Sequence, residues 1–137
     1  MIEATILGVL AADTELKSYV TVFNSAPAIF SDSAPEGAVK PYIIFNVKEK
    51  GSGSKEITKF NLKTEFWDYD VSPVNSRKAA KRMEELLDYK SFDSADYTCI
   101  RPEFFSGGDV EDPDPRMVRY NQLYDVRAIR KGWMAQL

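Results

Sequence analysis

The sequence predicts an α+β domain in which a four-stranded antiparallel sheet carries helices on one of its faces. Two alternating apolar and polar segments near the middle and two near the carboxyl end predict the strands, and an amphipathic segment between them predicts a helix. The predicted order is helix, strand, strand, helix, strand, strand, which buries the apolar stripes when the helices cross one face. With 137 residues, 44% of them hydrophobic, one core and one domain over residues 1–137 are expected.

The amino-terminal segment has the spacing of a helix. Ile2, Ile6 and Leu10 recur on one side, and Asp13 or Thr14 can cap a second, short turn. The segment is therefore predicted as one helix or a broken pair. It has no basic region followed by a long apolar run, so neither a signal peptide nor a membrane span is expected. A protein of this kind is expected in the cytoplasm where it is made.

The next region is predicted as a long loop followed by a strand. Residues 24–41, "NSAPAIFSDSAPEGAVKP", contain three prolines and Gly37, which interrupt any periodic pattern and predict an extended surface loop. "PYIIFNVKEK" then predicts a strand from residue 42, and the Gly-Ser repeat that follows predicts a hairpin tip. Mobile loops are expected near 24–41, 49–56 and 106–116.

The second strand and the helix after it have the clearest patterns. In "EITKFNLKTEFWDYD", one face carries Phe60, Leu62, Thr64 and Phe66, and the opposite face is polar. Ser72 before Pro73 is a strong helix start, because a serine hydroxyl caps an unpaired N–H and proline suits the first turn. The helix has an apolar stripe, and its remaining surface carries the basic side chains Arg77, Lys78, Lys81 and Arg82.

Two more strands, "YTCIRPEFF" and "MVRYNQLYDVRAIRKG", flank an acidic segment. That segment, "SGGDVEDPDPR", has two glycines, two prolines and four carboxylates, which predict a projecting loop. The last strand places Tyr120, Gln122 and Tyr124 on one face, with Arg119 and Arg127 on the other. Both faces carry some apolar residues, so a neighbour is expected to cover part of the second face.

Composition excludes several classes of function. The chain contains no histidine, which rules out Ser-His-Asp and Cys-His nucleophiles and imidazole metal sites. Its net charge of −3 gives no overall attraction to polyphosphate and argues against a dedicated nucleic-acid binder. The single cysteine, Cys99, has no partner for an intrachain disulfide and is interpreted as a small buried hydrophobe.

Two groups of carboxylates are candidate sites. Asp68 and Asp70 lie two residues apart on one strand face, the minimum for a shared metal or a coupled acid pair. Exposed aspartates at a strand end are the favoured interpretation, because aspartate is common at turns. The acidic run of residues 109–114 lacks the spacing, central glycine and closing glutamate of an EF-hand. Neither a catalytic residue, a metal site nor a cofactor is predicted.

Three segments in order resemble the small tail-completion proteins of long-tailed bacteriophages, which cap the tail tube or join it to the head. The segments are "SAPEGAVKPYIIF", "FNLKTEFWDYDVSPVNSRKAAKRMEELL" and "PRMVRYNQLYDVRAI". The resemblance extends over about residues 16–132 and implies a structural virion protein of α+β fold, not an enzyme.

The resemblance also implies partners. It implies a subunit of a ring, typically sixfold, between the major tail tube protein and head-completion proteins, with no membrane and with DNA only passing through the channel. Such a protein would be in the host cytoplasm during assembly and then at the head-proximal end of the tail. A closed ring needs a heterologous interface. The candidate residues for subunit or partner contacts are Arg77, Lys78, Lys81, Arg82, Asp109, Glu111, Asp112, Asp114, Arg119 and Arg127.

Three alternatives remain open at this point. Within the same assembly, a head-tail connector or stopper protein would have the same features. A non-viral adaptor would bind an extended peptide at a sheet edge and stay monomeric. An enzyme based on Asp68 and Asp70 would need a bound metal, which a metal-dependent shift in melting temperature would reveal.

Overall fold

A computed structural model describes residues 2–52, 55–69 and 71–132. The chain forms three helices and seven strands in these ranges. The helices are α1 (Ile2–Ala12), α2 (Thr14–Lys17) and α3 (Val74–Leu87). The strands are β1 (Val22–Phe23), β2 (Ala26–Pro27), β3 (Ile29–Ser31), β4 (Tyr42–Ser52), β5 (Ile57–Tyr69), β6 (Tyr97–Asp109) and β7 (Met117–Arg130).

The main sheet has five strands in the order β3-β4-β5-β7-β6, and β1 pairs with β2 in a separate small sheet. β3 runs parallel to β4, whereas the other neighbours are antiparallel. The prediction of a four-stranded, wholly antiparallel sheet is therefore wrong. The additional strands β2 and β3 lie inside residues 24–41, for which the sequence predicts a loop. β2 pairs with the preceding strand β1, whereas β3 is held by the more distant strand β4, where Ile29 lies opposite Ile43. The Ala28 carbonyl, for example, accepts from the Ile43 N–H at 3.0 Å.

Helices α1 and α3 pack on the same face of the sheet, where most of the core lies. The alternation predicted for β5 is confirmed, since Phe60, Leu62, Thr64 and Phe66 are all buried. The amino-terminal segment is a broken pair of helices. Asp13 separates them and caps α2, accepting from the Leu16 N–H at 2.8 Å.

α3 starts where the sequence predicts it, but Pro73 is its N-cap residue and not part of the first turn. The Ser72 hydroxyl accepts from the Val74 N–H at 3.3 Å, and Pro73 immediately precedes the first helical residue. Its predicted apolar stripe is buried at Met83 and Leu87, although Val74 remains exposed. Among the described residues, no helix is long and apolar enough to cross a membrane.

Strand β6 is longer than the sequence indicates. Residues 106–109, expected in the acidic loop, form its last part and pair with β7. Bulges interrupt the pairing between Thr98 and Arg101 and between Phe104 and Ser106. At the first bulge Cys99 has a φ of 50° and is exposed, so its interpretation as a buried hydrophobe is wrong. The predicted tip at Gly53 and Ser54 lies outside the described residues.

Candidate subunit and partner interface

The four basic residues of α3 divide into two pairs with different roles. Arg77 and Arg82 form ion pairs inside the subunit, whereas Lys78 and Lys81 are exposed and form no ion pair or hydrogen bond with the described residues. The helical spacing points the two lysines away from the sheet because the apolar residues between them face the core. Lys78 and Lys81 are thus the cations of α3 that are free to bind a partner.

Arg77 and Asp109 lie together within one subunit. The Arg77 Nη2 atom donates to the Asp109 Oδ2 atom at 2.8 Å, which joins α3 to the end of β6. This hydrogen bond and the adjacent negative charge raise the pKa of Arg77. Opposite charges of the basic helix and of the acidic segment therefore meet within one subunit at this pair.

Arg82 joins α3 to the turn before α2. Its guanidinium donates to both carboxylate oxygens of Asp13, at 2.7 and 2.9 Å, and lies within 3.5 Å of Glu15 and 3.3 Å of Glu85. The hydrogen bond with Asp13 raises the pKa of Arg82, and the same contact lowers the pKa of Asp13. This geometry gives Arg82 a structural role in positioning the helices.

The acidic loop between β6 and β7 is organised by its own contacts. The Asp112 Oδ1 atom accepts from the Asp114 N–H at 3.0 Å, and the Asp114 Oδ1 atom accepts from the Arg116 N–H at 3.0 Å. That hydrogen bond lowers the pKa of Asp114. Asp112 also contacts Arg119 at 3.3 Å, while Glu111 is exposed. Glu111 is the carboxylate of the loop with the greatest access to a partner.

Arg119 is the centre of a cluster on the sheet face opposite the helices. Its guanidinium lies 4.0 Å from the centre of the Trp67 ring and contacts Glu65 at 3.2 Å and Asp112 at 3.3 Å. The Arg119 side chain is only 20% exposed. Burial, stacking and two carboxylate partners fix its planar group, which arginine suits better than lysine. The cluster anchors the acidic loop to the sheet.

The sequence pattern did not reveal the aromatic row that continues from this cluster across the same face. Rings of Phe23, Phe30, Tyr42 and Trp67 follow one another with centroid distances of 5.6, 6.0 and 6.4 Å. Cross-strand aromatic neighbours of this kind stabilise a sheet. Trp67 shares its face of β5 with Lys63 and Glu65. The alternation of β5 therefore predicts the face on which the Trp67 ring lies, but it does not predict which rings the Trp67 ring contacts.

The other half of this face is open and predominantly cationic. A groove of about 320 Å³ lies between β4, β5 and the second bulge of β6. Its lining includes Asn46, Lys48, Asn61, Lys63, Phe105 and Leu123. Arg127 is exposed on the same face near Lys50, Lys59, Glu103 and Asp125, and Lys50 forms an ion pair with Asp125. This surface offers both apolar contacts and positive charge to a macromolecular partner.

Asp68, the described member of the carboxylate pair considered for catalysis, is buried near the end of β5. Asp68 is 7% exposed and accepts from the N–H of its neighbour Tyr69 at 2.8 Å, so it is not a solvated strand-end aspartate. Its proposed companion Asp70 lies outside the described residues. Among the residues that the structure describes, no group of three or more His, Cys, Asp or Glu side chains is arranged to hold a metal ion.

Comparison with known proteins identifies both a family and a fold. A family model described as "Tail completion protein gp17" matches residues 4–129. Among solved structures, the chain is similar to a chain of the "Virion of native gene transfer agent (GTA) particle", with a TM-score of 0.74 and 15% sequence identity. The superposition covers 93% of this chain and 94% of that one. At this identity the likeness concerns the fold. The search of curated proteins found no significant match.

Proposed function

The chain belongs to the family of tail completion proteins described as gp17, and from this membership we propose that it caps the tail tube of a phage-like particle. Membership makes it a structural tail protein. In the proposal, copies of the chain form a ring on the head-proximal end of the tube and supply the tail side of the head-tail junction. The observation that carries the proposal is the family match, because it extends over residues 4–129 and so includes all of the main sheet except its last residue, Arg130.

The distribution of exposed groups supports a subunit with more than one contact surface. Lys78 and Lys81 lie on the helical side, and the open cationic groove lies on the opposite face of the sheet. A ring requires each subunit to present two different patches, one to each neighbour, and further surfaces for the tube and the head. We propose Lys78, Lys81, Glu111 and Arg127 as contact residues.

The remaining candidates act on these contacts indirectly. Arg77, Arg82 and Arg119 pair with carboxylates of their own subunit, as do Asp109 and Asp112 with arginines. In the proposal they position the helices and the acidic loop so that the exposed groups face the next subunit, the major tail tube protein or a head-completion protein. Their substitution would therefore change the fold as well as assembly.

A head-tail connector or stopper of the same particle is the closest alternative, because the family match identifies tail completion without distinguishing the joint. The two roles differ in what happens to the tail. A terminator stops the polymerisation of the tube, so its loss gives tails of excess length. A joining protein acts on finished tails, so its loss leaves tails of normal length beside filled heads.

The proposal is tested by electron microscopy of lysates from the source particle carrying an early nonsense codon in this gene. Unattached tails beside filled heads support a role at the head-proximal end of the tail, and tail length then separates the two roles. A plasmid copy of the wild-type gene should restore normal particles, which controls for effects on neighbouring genes. Normal particles without that copy would overturn the proposal.

A further inference from the structure

Two stretches of exposed strand edge lie on opposite sides of the five-stranded sheet. The first belongs to β4. Strand β3 covers the outer edge of β4 only over residues 43–45, so residues 46–52 extend past it. The Ile43 N–H donates to Ala28 at 3.0 Å, and the Phe45 carbonyl accepts from Asp32 at 2.9 Å. Odd-numbered residues of this part of β4 therefore direct their backbone groups away from β5.

Because backbone direction alternates along a strand, the N–H and C=O groups of Val47 and Glu49 also point away from β5. Neither residue has a backbone partner on that side within the described part of the chain. Glu49 is exposed, as are Lys48 and Lys50 beside it. Charged side chains on a free edge oppose unregulated strand pairing, and they still allow pairing with a partner of the right shape.

The second edge belongs to the last part of β6. Its first part is covered, because the Tyr89 N–H donates to the Pro102 carbonyl at 2.9 Å. Near the end, the Val110 N–H donates to Arg119 at 3.0 Å and so points toward β7. Its neighbour Asp109 consequently points outward, and so does Gly107 two residues earlier. Within the described residues, no backbone partner lies on the outer side of this stretch.

The two edges have matching geometry. β4 and β6 run in opposite directions, because each neighbour between them in the order β4-β5-β7-β6 is antiparallel. The side chains that mark this alternation lie on the helix-covered side of the sheet at both edges: Ile43 and Phe45 of β4 are buried in the core, and Asp109 of β6 contacts Arg77 of α3. An antiparallel pair of strands requires this match, because residues that lie directly opposite each other place their side chains on the same face of the sheet.

We propose that β4 of one copy pairs with β6 of the next, with Val47 opposite Asp109 and Glu49 opposite Gly107. The main sheet would then continue from subunit to subunit through a heterologous contact, as ring closure requires. Lys48 lies opposite Gly108 in this register, where the absence of a side chain leaves room for it. The inference rests on the proposed ring and adds the surface through which neighbours meet.

Disulfide trapping of that register is the test. The variant Cys99→Ser, Lys48→Cys, Gly108→Cys places two cysteines at a non-hydrogen-bonded pair, where Cα atoms about 4.5 Å apart suit a disulfide. A Cβ atom at Gly108 meets no other atom within 4 Å, so the fold tolerates this change. Within one subunit the two positions are separated by three strand spacings, about 14 Å, and also by four residues along the strands, so they are too distant for an intrachain bond.

The oxidised variant should give a ladder of covalent oligomers on a denaturing gel, alone at high concentration or on isolated tail tubes that lack the protein. Each single-cysteine variant in the Cys99→Ser background can give at most a dimer and serves as the control. Rings seen by electron microscopy without the ladder would overturn the inference and leave the proposed function standing. A chain that stays monomeric in both settings would overturn ring formation as well.

Discussion

Arg82 and Asp13 are 69 residues apart and form two hydrogen bonds, from Nη2 to Oδ1 at 2.7 Å and from Nε to Oδ2 at 2.9 Å. Asp13 uses one of the same oxygens to cap α2. The contact thus couples the capping of one helix to the position of another. It also removes Arg82 from the set of charges that a neighbouring subunit can use.

Reversing the charge of Arg82 should destabilise the monomer. In Arg82→Glu the new carboxylate would face Asp13, Glu15 and Glu85, so a fall of several degrees in the melting temperature is expected. Lys81→Glu is the matched control, because Lys81 is exposed on the next position of α3 and its change should stay within about 0.5 kcal/mol. Equal melting temperatures for the two variants would contradict the structural role of Arg82.

The same contact predicts a dependence of stability on pH. Because the pKa of Asp13 is lowered in the folded state from its usual 3.8, the unfolded state binds protons first as pH falls. The contribution of the Asp13 carboxylate to the unfolding free energy is present above pH 3.8 and is lost as the pH falls through the pKa of Asp13 in the folded state. Asp13→Asn should therefore flatten the fall in unfolding free energy below this value, measured by urea denaturation at several pH values. Part of the pH dependence of the unfolding free energy should remain in this variant, because the pKa values of Asp93 and Asp114 are also lowered.

The buried amide of Gln122 links α3 to the sheet. Its Nε2 atom donates to the Ala80 carbonyl at 2.8 Å, and its Oε1 atom accepts from Tyr124 at 3.0 Å and Thr64 at 3.2 Å. Gln122→Leu leaves the carbonyl and the Tyr124 hydroxyl without these partners, so a loss of about 2 to 3 kcal/mol in unfolding free energy is expected. Tyr124→Phe keeps the other two contacts and should cost about 1 kcal/mol. A larger loss for the tyrosine variant would contradict this network.

Local patterns predicted the elements that are long and have one buried face. Strand β5 alternates from Phe60 to Phe66 and α3 begins directly after Ser72 and Pro73, so each could be located from the sequence. β3 could not, because its three residues lie among prolines and serines and are held in parallel by β4, a contact without a local signature. The five-stranded sheet follows from that contact.

The candidate interface was predictable in composition but not in geometry. The charges of α3 and of the acidic loop are visible in the sequence, whereas the pairing of Arg77 with Asp109 depends on where β6 ends. Gly107 and Gly108 indicated a turn, yet both belong to that strand. Glycine is uncommon inside strands, so propensity alone favoured a loop, and pairing with β7 overrode it.

Those two glycines differ in the space around them. A Cβ atom at Gly107 would lie 3.2 Å from the Asn121 carbonyl oxygen and 3.2 Å from the Phe104 ring, whereas one at Gly108 meets nothing within 4 Å. Gly107→Ala should therefore cost about 1 to 3 kcal/mol through overpacking. Gly108→Ala, the adjacent control, should change the unfolding free energy by less than about 0.5 kcal/mol. Chemical denaturation of the two variants measures the difference, and equal effects would show that the strand end does not pack as described.

Substitution of the two exposed lysines of α3 should impair assembly of the subunits and leave folding of the monomer intact. Lys78→Glu with Lys81→Glu should leave the melting temperature within a few degrees of wild type, because neither side chain has a partner among the described residues of its own subunit. If these lysines contact an acidic surface of a neighbour, the double variant should not form rings and should not complement the nonsense mutant. The double variant Lys55→Glu, Lys90→Glu changes two exposed lysines outside α3 and controls for the same change of net charge. Ring formation by the double variant at wild-type concentrations would remove the two lysines from the subunit interface.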